Sequence, residues 1–185
     1  MDFYFYILIG LLVFVGFTVR VITGFGSALI LAPLIALFLG PKHAVIYIIL
    51  LECAIAVIFI VKEKLNFEVK QIFVGGISGI IAGIVLFGLL AQRIVGFLIG
   101  VSVLTFSILF LFNIHFRTEK EGALFTTLGF LSGSMGVLTG INGPQIVLGL
   151  VNQGYDSTFI RGCMITYLIL IDFITLASFS ISGYV

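Results

Sequence analysis

Apolar residues run through this chain in long stretches, and the polar positions are few enough to mark where those stretches end or break. From Phe3 to Gly40 the only charge is Arg20. A straight helix of that length would exceed about 50 Å, against a hydrocarbon core of about 30 Å, so the segment must bend, tilt or re-enter. Gly24, Gly26 and Pro33 are the available hinges. They predict a helix to about Ile22, an irregular link, and a half-helix to about Leu39. The apolar run from Ala44 to Val61 carries Glu52 and predicts one crossing, closed by the charged turn Lys62-Glu63-Lys64-Leu65-Asn66. Ile72 to Ala91 and Val95 to Phe112 predict two more, joined through Gln92-Arg93 as an antiparallel hairpin.

The second half opens with another interrupted run. From Gly122 to Val151 the chain is apolar but broken at Thr139, Gly140, Asn142, Gly143 and Pro144, and a last crossing follows from Phe159 to Ile181. Glycine weakens a helix, proline removes a donor, and irregular backbone at membrane depth survives only in protein or beside a cavity. The first break reads similarly, at Thr23, Gly24, Phe25, Gly26, Ser27 and Pro33. A shift that carries Thr23-Gly24 onto Thr139-Gly140 also brings Leu39-Gly40-Pro41 onto Gln153-Gly154-Tyr155 after a slip of two residues. This predicts an internal repeat. The first copy is 1–121, with a broken segment 3–40, a crossing 44–61 and a hairpin 72–112. The second is 122–185, with a broken segment 122–151 and a crossing 159–181.

By comparison with the first copy, the second stops short of a final hairpin. The expectation is either that a hairpin follows Val185 in a longer chain or that oligomerisation replaces it. Counting each broken segment as one crossing gives about six crossings and parallel repeats. Lys62, Lys64, Lys70, Arg117 and Lys120 then share the side of the N-terminus, with Lys42, Arg93 and Arg161 opposite. The positive-inside rule puts the N-terminus in the cytoplasm of a bacterial-type plasma membrane protein. Met1-Asp2-Phe3-Tyr4 lacks the basic start of a signal peptide, so the first segment is expected to stay in the membrane.

Composition agrees with that pattern. With 61% hydrophobic and 9% charged residues and a mean hydropathy of +1.34, the chain is an all-α integral membrane protein whose main partner is the lipid bilayer. A net charge of +1 with scattered basic residues gives no nucleic-acid footprint. Cys53 and Cys163 stand far apart in apolar runs and read as packing residues. No Cys/His ligand spacing points to a metal, and no cofactor is expected. His43 and His115 read as interfacial. Gly75, Gly79 and Gly83, like Gly96 and Gly100, are spaced by four and predict close helix packing.

Two motifs carry a resemblance. Gly24-Phe25-Gly26-Ser27 with Pro33 and Gly40-Pro41-Lys42-His43-Ala44 form the first. Gly140-Ile141-Asn142-Gly143-Pro144 with Gln153-Gly154 and Phe159-Ile160-Arg161 form the second. Together they resemble the two repeat motifs of the sulfite exporter TauE/SafE family of membrane transporters, over nearly the whole chain. The sequence departs from the glycine-rich pattern at Ser27 and Ala28, and at Asn142 and Gln145. The resemblance implies a membrane transporter, normally of about eight crossings, for sulfite, another sulfur oxyanion, or an organosulfonate or carboxylate.

The chemistry of the breaks suits an anion. Helix N-termini present unpaired amides and about half a positive charge, so half-helices starting near Gly26 and Gly143 can face one oxyanion. Thr23, Ser27, Thr139, Asn142 and Gln145 can add donors, Gly24, Gly26, Gly140, Gly143 and Pro144 shape the breaks, and Arg20 lies about one turn before the first. The expectation is that Gly24, Gly26, Gly140 and Gly143 enclose a small polar cavity. Valine at 143 should then fail through both its bulk and its dihedrals. Arg20 either reaches that cavity or pairs structurally with Glu52 or Asp172. Those two carboxylates, on the crossing helix of each copy, either form static ion pairs with Arg20 or Arg161 or relay protons coupled to the anion. A membrane enzyme is disfavoured, because no catalytic set converges. A passive channel or an accessory subunit stays open beside a secondary carrier.

Overall fold

The computed structural model describes residues 3–62, 68–112 and 117–184. They form eight helices and no strand: α1 (Phe3–Thr23), α2 (Ser27–Leu39), α3 (Pro41–Lys62), α4 (Lys70–Leu89), α5 (Gln92–Leu111), α6 (Glu121–Thr139), α7 (Pro144–Gln153) and α8 (Ser157–Ile181). α3, α4, α5, α6 and α8 are long and apolar enough to cross a membrane, and shorter apolar helices run over Ile9–Thr23 and Ser27–Leu39. The outward surfaces of this all-α membrane protein carry large apolar side chains such as Leu37, Leu89, Leu104 and Ile181. Hydrocarbon is the solvent such faces require. Turn residues Glu63 to Asn66, His115 in the next polar loop, and Met1-Asp2 lie outside the described residues.

Two local expectations need correction. Pro33 is not part of the first break, because α2 continues through it. Leu31 and Ala32 beside it are fully buried in the core, and that packing offsets the lost backbone donor. The hairpin link is Leu90-Ala91, both extended, so Gln92 and Arg93 already belong to α5.

The tightest helix pair is α4 with α6. A Cβ built on Gly75 or Gly79 would fall on the backbone of Thr126 or Phe130, and one on Gly129 or Gly133 would fall on Ile72 or Gly76. In a bilayer, where lipid tails are as apolar as leucine, such backbone approach supplies the van der Waals contact that holds helices together. α3 and α8 meet through Ala56 and Phe59 against Ile165 and Ile169. The two central helices thereby bring their carboxylates to the same buried region.

Candidate substrate site

Each broken segment ends its first helix with the same chemistry. Gly24 and Gly140 take φ of 87° and 76°, and their amides donate to the carbonyls of Arg20 (2.7 Å) and Gly136 (2.8 Å). A side chain at either position would cost roughly 1–2 kcal/mol in the left-handed region. The preceding threonines then satisfy an amide within each break: Thr23 Oγ1 accepts from the Phe25 amide at 3.3 Å, and Thr139 Oγ1 accepts from the Ile141 amide at 3.2 Å. The chain restarts as α2 at Ser27 and as α7 at Pro144. Neither N-terminus has a side-chain cap; in α7 Pro144 has no N–H and the Ile146 and Val147 amides already donate to the Gly143 carbonyl at 3.2 Å, so the amides left to a ligand are those of the first turn of α2 and that of Gln145.

Between these restarts lies a buried ionic cluster. Arg20 pairs through Nη1 with Glu52 Oε2 on α3, and its Nη2 lies 3.4 Å from Asp172 Oδ2 on α8. Each carboxylate receives a second donor from a break: Ser27 Oγ donates to Glu52 Oε1, and Asn142 Nδ2 donates to Asp172 Oδ1 at 2.7 Å. Arg20, Glu52 and Asp172 are 2%, 3% and 1% exposed. One guanidinium facing two carboxylates leaves one formal negative charge when all three are ionised. A dry interior makes that arrangement costly, so a proton on one carboxylate relieves it.

A cavity of about 10 Å³ sits at this junction, lined by Arg20, Gly26, Ser27, Asn142, Gly143 and Pro144 among others. It has room for about one water. Gly143 is where the two breaks touch: a Cβ there would stand 3.0 Å from Phe25 Cβ. Its own φ of −82° and ψ of −47° are ordinary right-handed values, so the expectation that its dihedrals need glycine does not hold. Proximity alone disfavours a side chain there, and a bulky one most, because Phe25 would have to give way.

Other sequence-predicted residues stand apart from the cavity. Gly24 packs on Arg161 and Gly140 on Ile48. Arg161 Nη2 donates to the Val21 carbonyl at 3.3 Å, near the C-terminus of α1, where a cation complements the exposed carbonyls. Gln145, 6% exposed, donates through Nε2 to the Ile141 carbonyl at 3.4 Å, while its Oε1 has no hydrogen-bond partner among the described residues. Cys53 and Cys163 are buried free thiols. Among the described residues, no three His, Cys, Asp or Glu side chains are grouped to hold a metal.

Sequence reasoning missed the support behind Asn142. Tyr167 OH donates to Ser132 Oγ at 2.9 Å, and Ser132 Oγ donates to the Asn142 carbonyl. Both residues are fully buried. Their only signal was a hydroxyl within an apolar helix, which back-bonding to the preceding turn ordinarily explains.

No curated protein and no solved structure matches the chain significantly. The family model described as Sulfite exporter TauE/SafE does, over residues 8–185. With that match across nearly all of a chain whose helices suit a bilayer, the protein belongs to the TauE/SafE family of membrane transporters.

Proposed function

We propose that the protein is a secondary carrier of a small sulfur oxyanion, organosulfonate or carboxylate, and that Arg20 is its anion-binding group. The observation that carries this reading is the position of Arg20, a buried guanidinium at the junction of two uncapped half-helix N-termini. A charge at that depth costs at least about 2.5 kcal/mol and marks substrate paths. Ser27, Asn142, the first-turn amides of α2 and the Gln145 amide of α7 complete a donor set for oxygen atoms. No catalytic role is assigned to the chain. Its setting is a bacterial-type plasma membrane with the N-terminus in the cytoplasm.

Glu52 and Asp172 now occupy Arg20, and the cavity is too small for an oxyanion. Loading therefore requires the carboxylates to release the guanidinium. A second anion beside two ionised carboxylates would be repelled, so the carboxylate that lets go takes up a proton, and anion and proton travel together. A closed centre with room for about one water favours such a carrier over an open pore.

The test is uptake into proteoliposomes of sulfite, thiosulfate, sulfoacetate and simple carboxylates, with and without a pH gradient. Saturable uptake of one of these, accelerated by the gradient, is expected. Asp172→Asn should keep anion exchange yet lose acceleration by the gradient. Unsaturable flux would mean a channel, and acceleration unchanged in both Asp172→Asn and Glu52→Gln would separate the anion site from the proton.

A further inference from the structure

Both oxygens of Asp172 face donors: Oδ2 lies 3.4 Å from Arg20 Nη2, and Oδ1 accepts from Asn142 Nδ2 at 2.7 Å. Such contacts suit an ionised carboxylate, which only accepts. A protonated one carries an O–H that needs an acceptor of its own. The charged and titratable groups around Asp172 are Arg20 from α1, Cys53 and, across the guanidinium, Glu52 from α3, and Tyr167 from its own helix. A guanidinium has no acceptor and a thiol sulfur is a weak one. Glu52 is engaged by Arg20 and Ser27, and the Tyr167 hydroxyl by Ser132 at 2.9 Å. Of these neighbours only Asn142 can change its part. A carboxamide is planar, with an NH2 at one end and a carbonyl oxygen at the other, so turning it end for end replaces a donor to Asp172 with an acceptor.

The rest of Asn142 is held in place. Its backbone carbonyl accepts from Ser132 Oγ, and a Cβ built on Gly136 would stand 2.9 Å from its own Cβ. Rotation of the amide is the freedom left to it, beside the cavity that it lines together with Arg20, Ser27 and Glu52. We propose that Asn142 is the coupling residue of the carrier: when Asp172 takes up a proton on Oδ1, the Asn142 carboxamide turns over, its oxygen accepts the new O–H, and its NH2 is freed to donate to an anion on Arg20. The inference rests on the carrier reading with Arg20 as the anion-binding group. One proton then acts twice, removing a charge that competes for the guanidinium and exchanging an acceptor beside the anion for a donor.

The test is infrared difference spectroscopy of the full chain in nanodiscs, isotopically labelled in its asparagine side-chain carbonyls, titrated from neutral to acid pH without any anion. A protonated-carboxyl band should appear and the labelled carbonyl band should move to lower frequency in the same titration, because its oxygen gains a strong donor. Asp172→Asn should lose both changes. Asn142→Ala should keep the carboxyl band and lose the shift. An asparagine band that stays still, or that moves upward as an amide losing its acceptor without turning would, overturns the inference; so does a shift that survives in Asp172→Asn, or an Asp172 that takes up no proton while the protein stays folded. In exchange assays at equal pH on both sides, the KM for thiosulfate should fall about tenfold on acidification, as one added contact to an anion would give. It should stay level in Asn142→Ala, and an equal fall in both proteins would overturn the donor role. Absence of any exchange counts against the carrier reading, and the spectra, recorded without an anion, still decide whether the amide turns.

Discussion

Arg20 on α1 and Asp172 on α8 stand 152 residues apart in sequence, yet the guanidinium Nη2 lies 3.4 Å from the carboxylate Oδ2. That contact ties the helix before the first break to the helix after the second. Glu52 completes it from α3, so one cation organises three membrane helices. Arg20→Gln should reduce anion affinity by about 1.5–3 kcal/mol, the value of one lost charge-assisted contact. Competition assays against labelled substrate measure this. Thermal unfolding in detergent should move less, since the carboxylates can take up protons once the cation is gone; an equal loss in both readouts would make Arg20 a structural residue only.

Gly143→Val should abolish uptake while the protein still inserts and purifies. The valine Cβ would arrive 3.0 Å from Phe25 Cβ, and its methyl groups would push the two breaks apart. Because the backbone there is right-handed, Gly143→Ala should retain part of the activity. Comparing initial rates for the two variants separates bulk from backbone conformation. Normal uptake by the valine variant would show that the breaks need not touch.

Asn142→Leu removes the donor to Asp172 Oδ1 and leaves a buried carboxylate oxygen without its partner. A cost of about 1–3 kcal/mol in stability is expected. Ser27→Ala should do the same to Glu52 Oε1, and the double variant should cost more than either alone. Chemical or thermal unfolding in detergent measures each. A stable Asn142→Leu protein would mean that Asp172 is already satisfied by Arg20.

Gly79→Ala tests the packing of α4 on α6. Its Cβ would overlap the Phe130 carbonyl, which is backbone and cannot rotate away. A loss of about 1–3 kcal/mol is expected from overpacking. Gly100→Ala on α5 is the control, because a Cβ there meets nothing within 4 Å. Similar unfolding temperatures for the two variants would contradict the assigned helix contact.

The linear sequence determined the helices and their breaks. Runs of apolar residues, the Thr-Gly pairs at 23–24 and 139–140, and Gly143-Pro144 act locally, within a turn of where they stand, so they are legible one stretch at a time. The family is legible for the same reason, since its motifs are the breaks themselves. Pro33 misled because its effect depends on how firmly α2 is packed, which is not local. The pairings were decided only in three dimensions. Whether Arg20 would meet Glu52, Asp172 or both depended on how α1, α3 and α8 rotate against one another. The same rotation sent Arg161 to the end of α1 and put Gly24 and Gly140 outside the cavity. Tyr167 and Ser132 became a support for Asn142 because α6 and α8 approach there. Spacing along one helix fixes which residues share a face; which face meets which neighbour is set by packing among all of them, and the charged centre of this protein is a product of that packing.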